Sequence, residues 1–135
     1  VQITVAKDAL RNFRRRATRR YPKECIETLW GLKNGHWRIT EFRPIPHDGS
    51  RRAVYFNDDD AKFGARDGKL TRVGTIHTHT ILGSDCSPSE HDWDDCANLN
   101  ELITGICTVE KSKTGRLHTR VRFFLARATC EVTLK

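Results

Sequence analysis

The amino-acid sequence predicts an α/β fold, with a mixed central β-sheet flanked by helices. Three observations lead there. Apolar residues recur at helical spacing once near the start and once past the middle of the chain. Several short segments between them alternate with the period of two that marks strands, and Gly, Asn and Pro punctuate them. One strand leads through a helix into another strand, the pattern of a crossover connection. The chain has 135 residues and 37% hydrophobic content, enough for one core and too little for two, so 1–135 is expected to be a single domain.

Each element has its own reason. Positions 1–5 alternate weakly and predict a short strand. Ala6, Ala9, Leu10, Phe13 and Ala17 form one helical face, with arginines on the other side. That helix is expected to stop near Arg20, because the residue before Pro22 avoids helical geometry. Positions 24–32 read as a strand, closed by Gly31 and the Asn34-Gly35 turn. Trp37, Ile39 and Glu41 alternate with Arg38, Thr40 and Phe42 in a second strand. Positions 44–50 read as a loop and 53–56 as a short strand, after which Asn57 or Asp58 caps a small helix or turn running toward Gly64.

Positions 70–80 read as a strand whose alternation puts Val73, Thr75, His77 and His79 on one face. A polar loop over 81–88 leads to Ser89, a cap for a helix from Glu90 to about Asn98 with Trp93, Cys96 and Ala97 inward. Strands over 102–109 and 117–125 follow, joined by a turn at 111–115, and 130–134 is expected to pair at a sheet edge. The three tryptophans, Trp30, Trp37 and Trp93, fall within patterned segments and read as core anchors.

Composition bounds the function. Lys and Arg number 24 against 17 acids, a net charge of +7. Much of that excess is Arg11, Arg14, Arg15, Arg16, Arg19, Arg20 and Lys23. Such a cluster attracts nucleic acid or an acidic protein surface. It comes without aromatic interleaving or a known reading module, so a solvated helix face is the plainer reading and nucleic acid is not the expected partner. No apolar run approaches membrane-spanning length. The five cysteines include no Cys-x-x-Cys pair, so a reducing, cytoplasmic location is expected. The chain begins at Val1 and contains no methionine, which is compatible with a processed start and a lost targeting segment.

The chemistry concentrates in Gly74-Thr75-Ile76-His77-Thr78-His79 and Pro88-Ser89-Glu90-His91-Asp92. His77 and His79 point the same way from one strand, and Asp92 lies in the first turn of the next helix. Two imidazoles and a carboxylate make a three-ligand zinc set that leaves one coordination position for water. Other readings stand beside it. Ser89 to Asp92 is also a helix-capping box, and His91, Cys86 and Cys96 are rival ligands, the thiolates closing the site into a structural one.

These two segments resemble the motif of the JAMM (MPN-plus) metalloproteases, His-x-His followed by a spacer and Ser-x-x-Asp. Tyr21-Pro22-Lys23-Glu24 is similar to that family's upstream Pro-x-Glu element, and the flanking helix and strands follow the family's order. The resemblance implies a cytidine-deaminase-like JAMM domain with one catalytic zinc ion and its bound water. His77, His79 and Asp92 would be the metal ligands. Glu24 would be the general base that handles the water's proton, and Ser89 the hydrogen-bond donor to the oxyanion. It also implies a peptidase or isopeptidase acting at the C-terminal tail of a ubiquitin-like or small carrier protein.

The chain departs from the family at Thr80, where many relatives have proline, and in a spacer of nine residues between His79 and Ser89. It lacks a large insertion of the kind that grips linked ubiquitin chains, so chain-specific deubiquitination is not implied. Cys86 and Cys107 are expected to be neighbours, as a disulfide or as two buried thiols. Two other classes remain: a non-catalytic protein-binding scaffold of the same fold, and a basic nucleic-acid-binding domain. A nucleoside deaminase would need His-x-Glu and Pro-Cys-x-x-Cys, which are absent.

Overall fold

A computed structural model describes residues Val1–Lys135. In chain order the strands are β1 (Gln2–Val5), β2 (Ile26–Asn34), β3 (His36–Pro44), β4 (His47–Gly49), β5 (Val54–Phe56), β6 (Arg66–Asp67), β7 (Leu70–His79), β8 (Ile103–Lys111), β9 (Leu117–Leu125), β10 (Ala128–Thr129) and β11 (Glu131–Leu134). Helix α1 (Lys7–Arg20) lies between β1 and β2, and α2 (Glu90–Leu99) between β7 and β8. One 3-10 turn, Asp58–Asp60, follows β5, with the Asn57 side chain accepting from the Asp59 amide.

The main sheet runs β10-β9-β8-β7-β2-β3-β1-β11, and β6 pairs with β7. It is mixed: β7 with β8, β1 with β3 and β1 with β11 are parallel, and the remaining pairs antiparallel. The short segment carrying β10 and β11 pairs first with β9 and then with β1, the two ends of the sheet. The sheet therefore curls almost into a barrel. Helix α1 packs against β3 and β9 and sends Leu10, Phe13 and Ala17 into the larger core. There Phe13 stacks on Phe42 at 5.3 Å, and Phe42 meets the edge of Phe123 at 6.4 Å. Burying each such large side chain contributes about 1.5–3 kcal/mol. A second, smaller cluster of Cys86, Ile106 and Phe124 lies under Trp93 of α2. No helix is long and apolar enough to cross a membrane.

The predicted α/β architecture, with a central mixed sheet and two helices, is the one observed. Helix α1 ends at Arg20, before Pro22 as expected, and 117–125 is strand throughout. The crossover is real, since β7 and β8 are parallel partners with α2 between them. They approach closely at Gly74, where a Cβ would lie 1.7 Å from the Ile103 carbonyl oxygen.

Four details differ. Part of the expected loop at 44–50 is β4, which forms a hairpin with β5. Glu24 and Cys25 precede β2 instead of belonging to it. Val73 joins the larger core, because the ladder slips between Leu29↔Gly74 and Trp30↔Arg72 and leaves it the extra residue of a bulge. Ala97 is exposed, and Leu99 is the buried end of α2. The cysteines are five free thiols. Cys86 belongs to the α2-side cluster with Ile106, whereas the next residue, Cys107, belongs to the larger core. Alternation along β8 puts them in different clusters, so the expected neighbours are two buried thiols close enough to act on each other's charge and not a disulfide. Trp30 is buried, and Trp37 and Trp93 are half-buried.

Candidate metal centre

Two features of the fold bring the histidines and the aspartate together. Strand β7 ends at His79, so both imidazoles project from its last turn of alternation, just outside the carboxyl ends of the parallel β7–β8 pair. The chain then loops over 80–88 and enters α2, whose first turn returns to the same place. Ser89 is its N-cap. The Asp92 amide donates to Ser89 Oγ at 3.2 Å, and the Ser89 amide donates to Asp92 Oδ2 at 2.8 Å. This reciprocal cap fixes the rotamer of Asp92 and aims its carboxylate at the strand end.

The resulting triangle is tight. His77 Nε2 and His79 Nε2 are 2.9 Å apart, and Asp92 lies 3.2 Å from each, through Oδ1 and Oδ2 respectively. Ligand atoms about 2.0–2.1 Å from a tetrahedral zinc are separated by about 3.3 Å. One donor atom from each of the three side chains lies within 4.8 Å of the others, and the donors are of the kinds that hold such an ion. The electrostatics agree. Burial opposes ionisation of Asp92, but the two imidazoles and the Ser89 amide outweigh it and hold the carboxyl well below the usual range. Burial opposes charge on His77, and Asp92 outweighs that too, so its proton affinity rises. The cluster is arranged to hold positive charge.

Glu24 reaches the same place from a distant part of the sequence. The register Ile26↔His77 carries the residues before β2 past the end of β7. Cys25 clamps the two chains: its amide donates to Thr78 Oγ1 at 2.9 Å and its carbonyl accepts from the Thr78 amide at 3.0 Å. The Glu24 amide donates to the Ser50 carbonyl at 2.7 Å, and a Cβ on Gly49 would lie 1.9 Å from the Glu24 carbonyl oxygen. The side chain, only 8% exposed, lines a cavity of about 600 Å³ together with His77, His79, Ser89 and Asp92. Burial pushes its carboxyl above the ordinary value, against the pull of the two histidines.

All five predicted site residues therefore converge on one cavity. The rival ligands do not. His91 is exposed and pairs with Asp95 at 3.6 Å, Cys86 points its thiol at the Ile106 carbonyl, and Cys96 meets Thr104. Sequence reasoning missed what braces the site. Thr80 Oγ1 donates toward the Pro22 carbonyl at 2.9 Å and the Arg51 carbonyl at 3.2 Å, tying the Glu24 segment to the β4–β5 hairpin. Glu101 enters the cavity wall, hydrogen-bonded by Thr75 and Thr104. No local spacing signals either, because both depend on contacts between remote segments.

The sequence model of the family described as prokaryotic homologs of the JAB domain matches residues 6–123. The crystal structure of a JAB1/MPN domain protein from Archaeoglobus fulgidus superposes with a TM-score of 0.65 at 16% identity, covering 99% of this chain and 98% of that one. A protein from Desulfitobacterium hafniense, solved in solution, gives 0.60 at 14% identity over 99% and 93% of the two chains. At these identities the likeness shows a shared fold. A search of curated protein sequences returns no significant match.

Proposed function

The chain belongs to the prokaryotic homologs of the JAB domain, a JAB1/MPN-type family, and on that premise we propose that it is a zinc-dependent peptidase or isopeptidase. Its substrate would be the C-terminal tail of a ubiquitin-like or small carrier protein. The observation that carries this reading is Glu24, a buried carboxylate without a cationic side-chain partner, facing the same cavity as a His-His-Asp donor set. A scaffold has no need of a proton acceptor there. The reading takes 1–135 as one deaminase-like unit, and the free thiols support a reducing, cytoplasmic setting.

His77, His79 and Asp92 would hold the ion. Bound there, zinc would activate water and polarise a carbonyl. Glu24 would accept the proton of the attacking water and pass it to the leaving amine. A carboxyl whose proton affinity is raised by burial is better matched to that exchange than an exposed one. Ser89 lines the cavity and spends its oxygen lone pair on the Asp92 amide, which leaves its O–H free to donate to the oxygen that gains charge. An extended tail would lie between the hairpin residues Val54 and Tyr55 and the loop residue Ile81, all of which line the cavity.

The test is cleavage of ubiquitin-like fusions encoded near this gene, on protein of measured zinc content. Chelation should abolish turnover, and Glu24→Gln should lower it by about 10²–10⁴-fold with zinc retained. A fully active Glu24→Gln enzyme would refute the proton relay. The second reading is a non-catalytic MPN-type protein-binding domain. Family membership supports it directly, since that finding requires no turnover. It predicts tail binding at equal affinity with and without Glu24, and no product with any fusion.

A further inference from the structure

Two sets of side chains of opposite charge, borne by different elements, flank the cavity. In the first set the residues after α1 and the hairpin tip meet, because Thr80 ties Pro22 to Arg51. Arg19, Lys23, Arg51 and Arg52 are exposed there and none forms an ion pair, whereas Arg16 and Arg20 of the same helix are consumed by Glu27. Arg19 and Lys23 also line a shallow depression with His47, in which Asp48 is the one exposed acid, and Arg52 lines the main cavity. In the second set Asp58 and Asp95 line the cavity close enough to act on each other's charge, and Glu90 and Asp94 are exposed on α2, the helix that carries Asp95. Only the exposed His91 faces Asp95 from the same helix.

We propose that these two sets form a docking surface for a folded protein whose own face sets an acidic patch beside a basic one. The partner's acidic patch would meet Arg19, Lys23 and Arg51, and its basic patch would meet Glu90 and Asp94. The charge pattern selects between partner classes. A nucleic acid is uniformly anionic, so the phosphates drawn to the first set would be repelled by the second set and by the carboxylates within the cavity. A protein can satisfy both signs at once. Docking holds a partner over the cavity, and a flexible tail leaving it there would reach Glu24. That last step rests on the peptidase reading; the docking itself does not.

Fluorescence anisotropy at fixed salt tests this with three labelled probes. One peptide carries a glutamate block, a Gly-Ser spacer and a lysine block. A second carries glutamate in both blocks, and the third probe is a short DNA duplex. The two-sign peptide is expected to bind most tightly. Reversing one set (Arg19→Glu, Lys23→Glu, Arg51→Glu) or the other (Glu90→Lys, Asp94→Lys) should each weaken it roughly tenfold. The second reversal should instead strengthen the all-glutamate peptide. Circular dichroism checks folding, and the neutralised pair Lys23→Gln, Arg51→Gln serves with a smaller loss if a reversed variant fails to fold. Tightest binding by the duplex, or affinity indifferent to both sets, overturns the proposal. Turnover of an uncharged tail peptide is measured separately. Lost docking with turnover intact sinks only this inference, and intact docking without turnover sinks only the peptidase.

Discussion

Glu24 and Glu27 lie three residues apart, one just before β2 and one just inside it, both buried, and the fold treats them in opposite ways. Glu27, fully buried, faces α1, where Arg16 binds it with two hydrogen bonds of 2.7 and 2.8 Å and Arg20 adds a third at 3.0 Å. Glu24 faces the cavity on the other side of the sheet and forms no ion pair with an arginine or lysine. One carboxylate is neutralised where it must stay silent. The other is left with a raised proton affinity beside the His77, His79 and Asp92 cluster. A buried charge that is paired serves the fold, and one left unpaired beside a cluster of metal-ligand types is a candidate for function.

The largest expected effect breaks the structural half of this contrast. Glu27→Ala removes the partner of two arginines that are themselves only 23% and 29% exposed. It should destabilise the fold by about 3–5 kcal/mol, read by urea denaturation. Glu24→Ala on the same assay should cost less than about 1 kcal/mol, because no buried cation is stranded. Equal losses at the two positions would end the distinction drawn between them.

This contrast marks the limit of what the sequence could show. His77, His79 and Asp92 were readable because each depends on local geometry: alternation within one strand and the third position of a capped helix. The amphipathic face of α1 and the α2 crossover were readable for the same reason. Glu24 entered only through the resemblance to a known family. Nothing near it separates it from Glu27, since their difference is set by pairing with β7 and by Gly49, which follows it by 25 positions. The hairpin strand β4 was hidden by Pro44 and Pro46, which read as loop. Val73 changed sides because a bulge adds a residue that no period-two pattern records. The Thr80 brace was invisible because both acceptors are backbone carbonyls of remote segments.

A smaller perturbation sharpens the functional half. Gly49→Ala leaves every side chain of the cluster intact, yet its new Cβ would sit 1.9 Å from the Glu24 carbonyl oxygen. Either Glu24 or the hairpin must shift to relieve that contact, and the hydrogen bond from the Glu24 amide to the Ser50 carbonyl couples the two. A displacement on the order of 1 Å costs about 10²-fold in turnover when the moved group does the chemistry. Zinc content should be unchanged, since the donor triangle lies on β7 and α2. The expected pattern is a fall in kcat with KM nearly constant. Wild-type kcat in this variant would mean that the position of Glu24 is not what sets the rate.

A third glutamate supplies the intermediate case and the smallest effect. Glu101 is half-buried, and its partners are the hydroxyls of Thr75 and Thr104 rather than arginines. Hydroxyls satisfy the lone pairs without cancelling the charge. Burial therefore dominates and raises the carboxyl above its ordinary value, with the hydroxyls and the charge of His77 pulling the other way. The sign follows from linkage: a raised acid binds its proton more tightly in the folded state. The stability it contributes is complete below the unfolded value and is lost as pH climbs through the folded one. Glu101→Gln keeps an acceptor and a donor for the two threonines and removes that loss. In metal-free protein, thermal melts of the two should nearly coincide at low pH and separate toward neutrality, with the glutamine form higher by a few degrees. A glutamine variant less stable at neutral pH would show that the charge, not the hydrogen bonds, is what the Thr75–Thr104 pocket holds, placing Glu101 with Glu27.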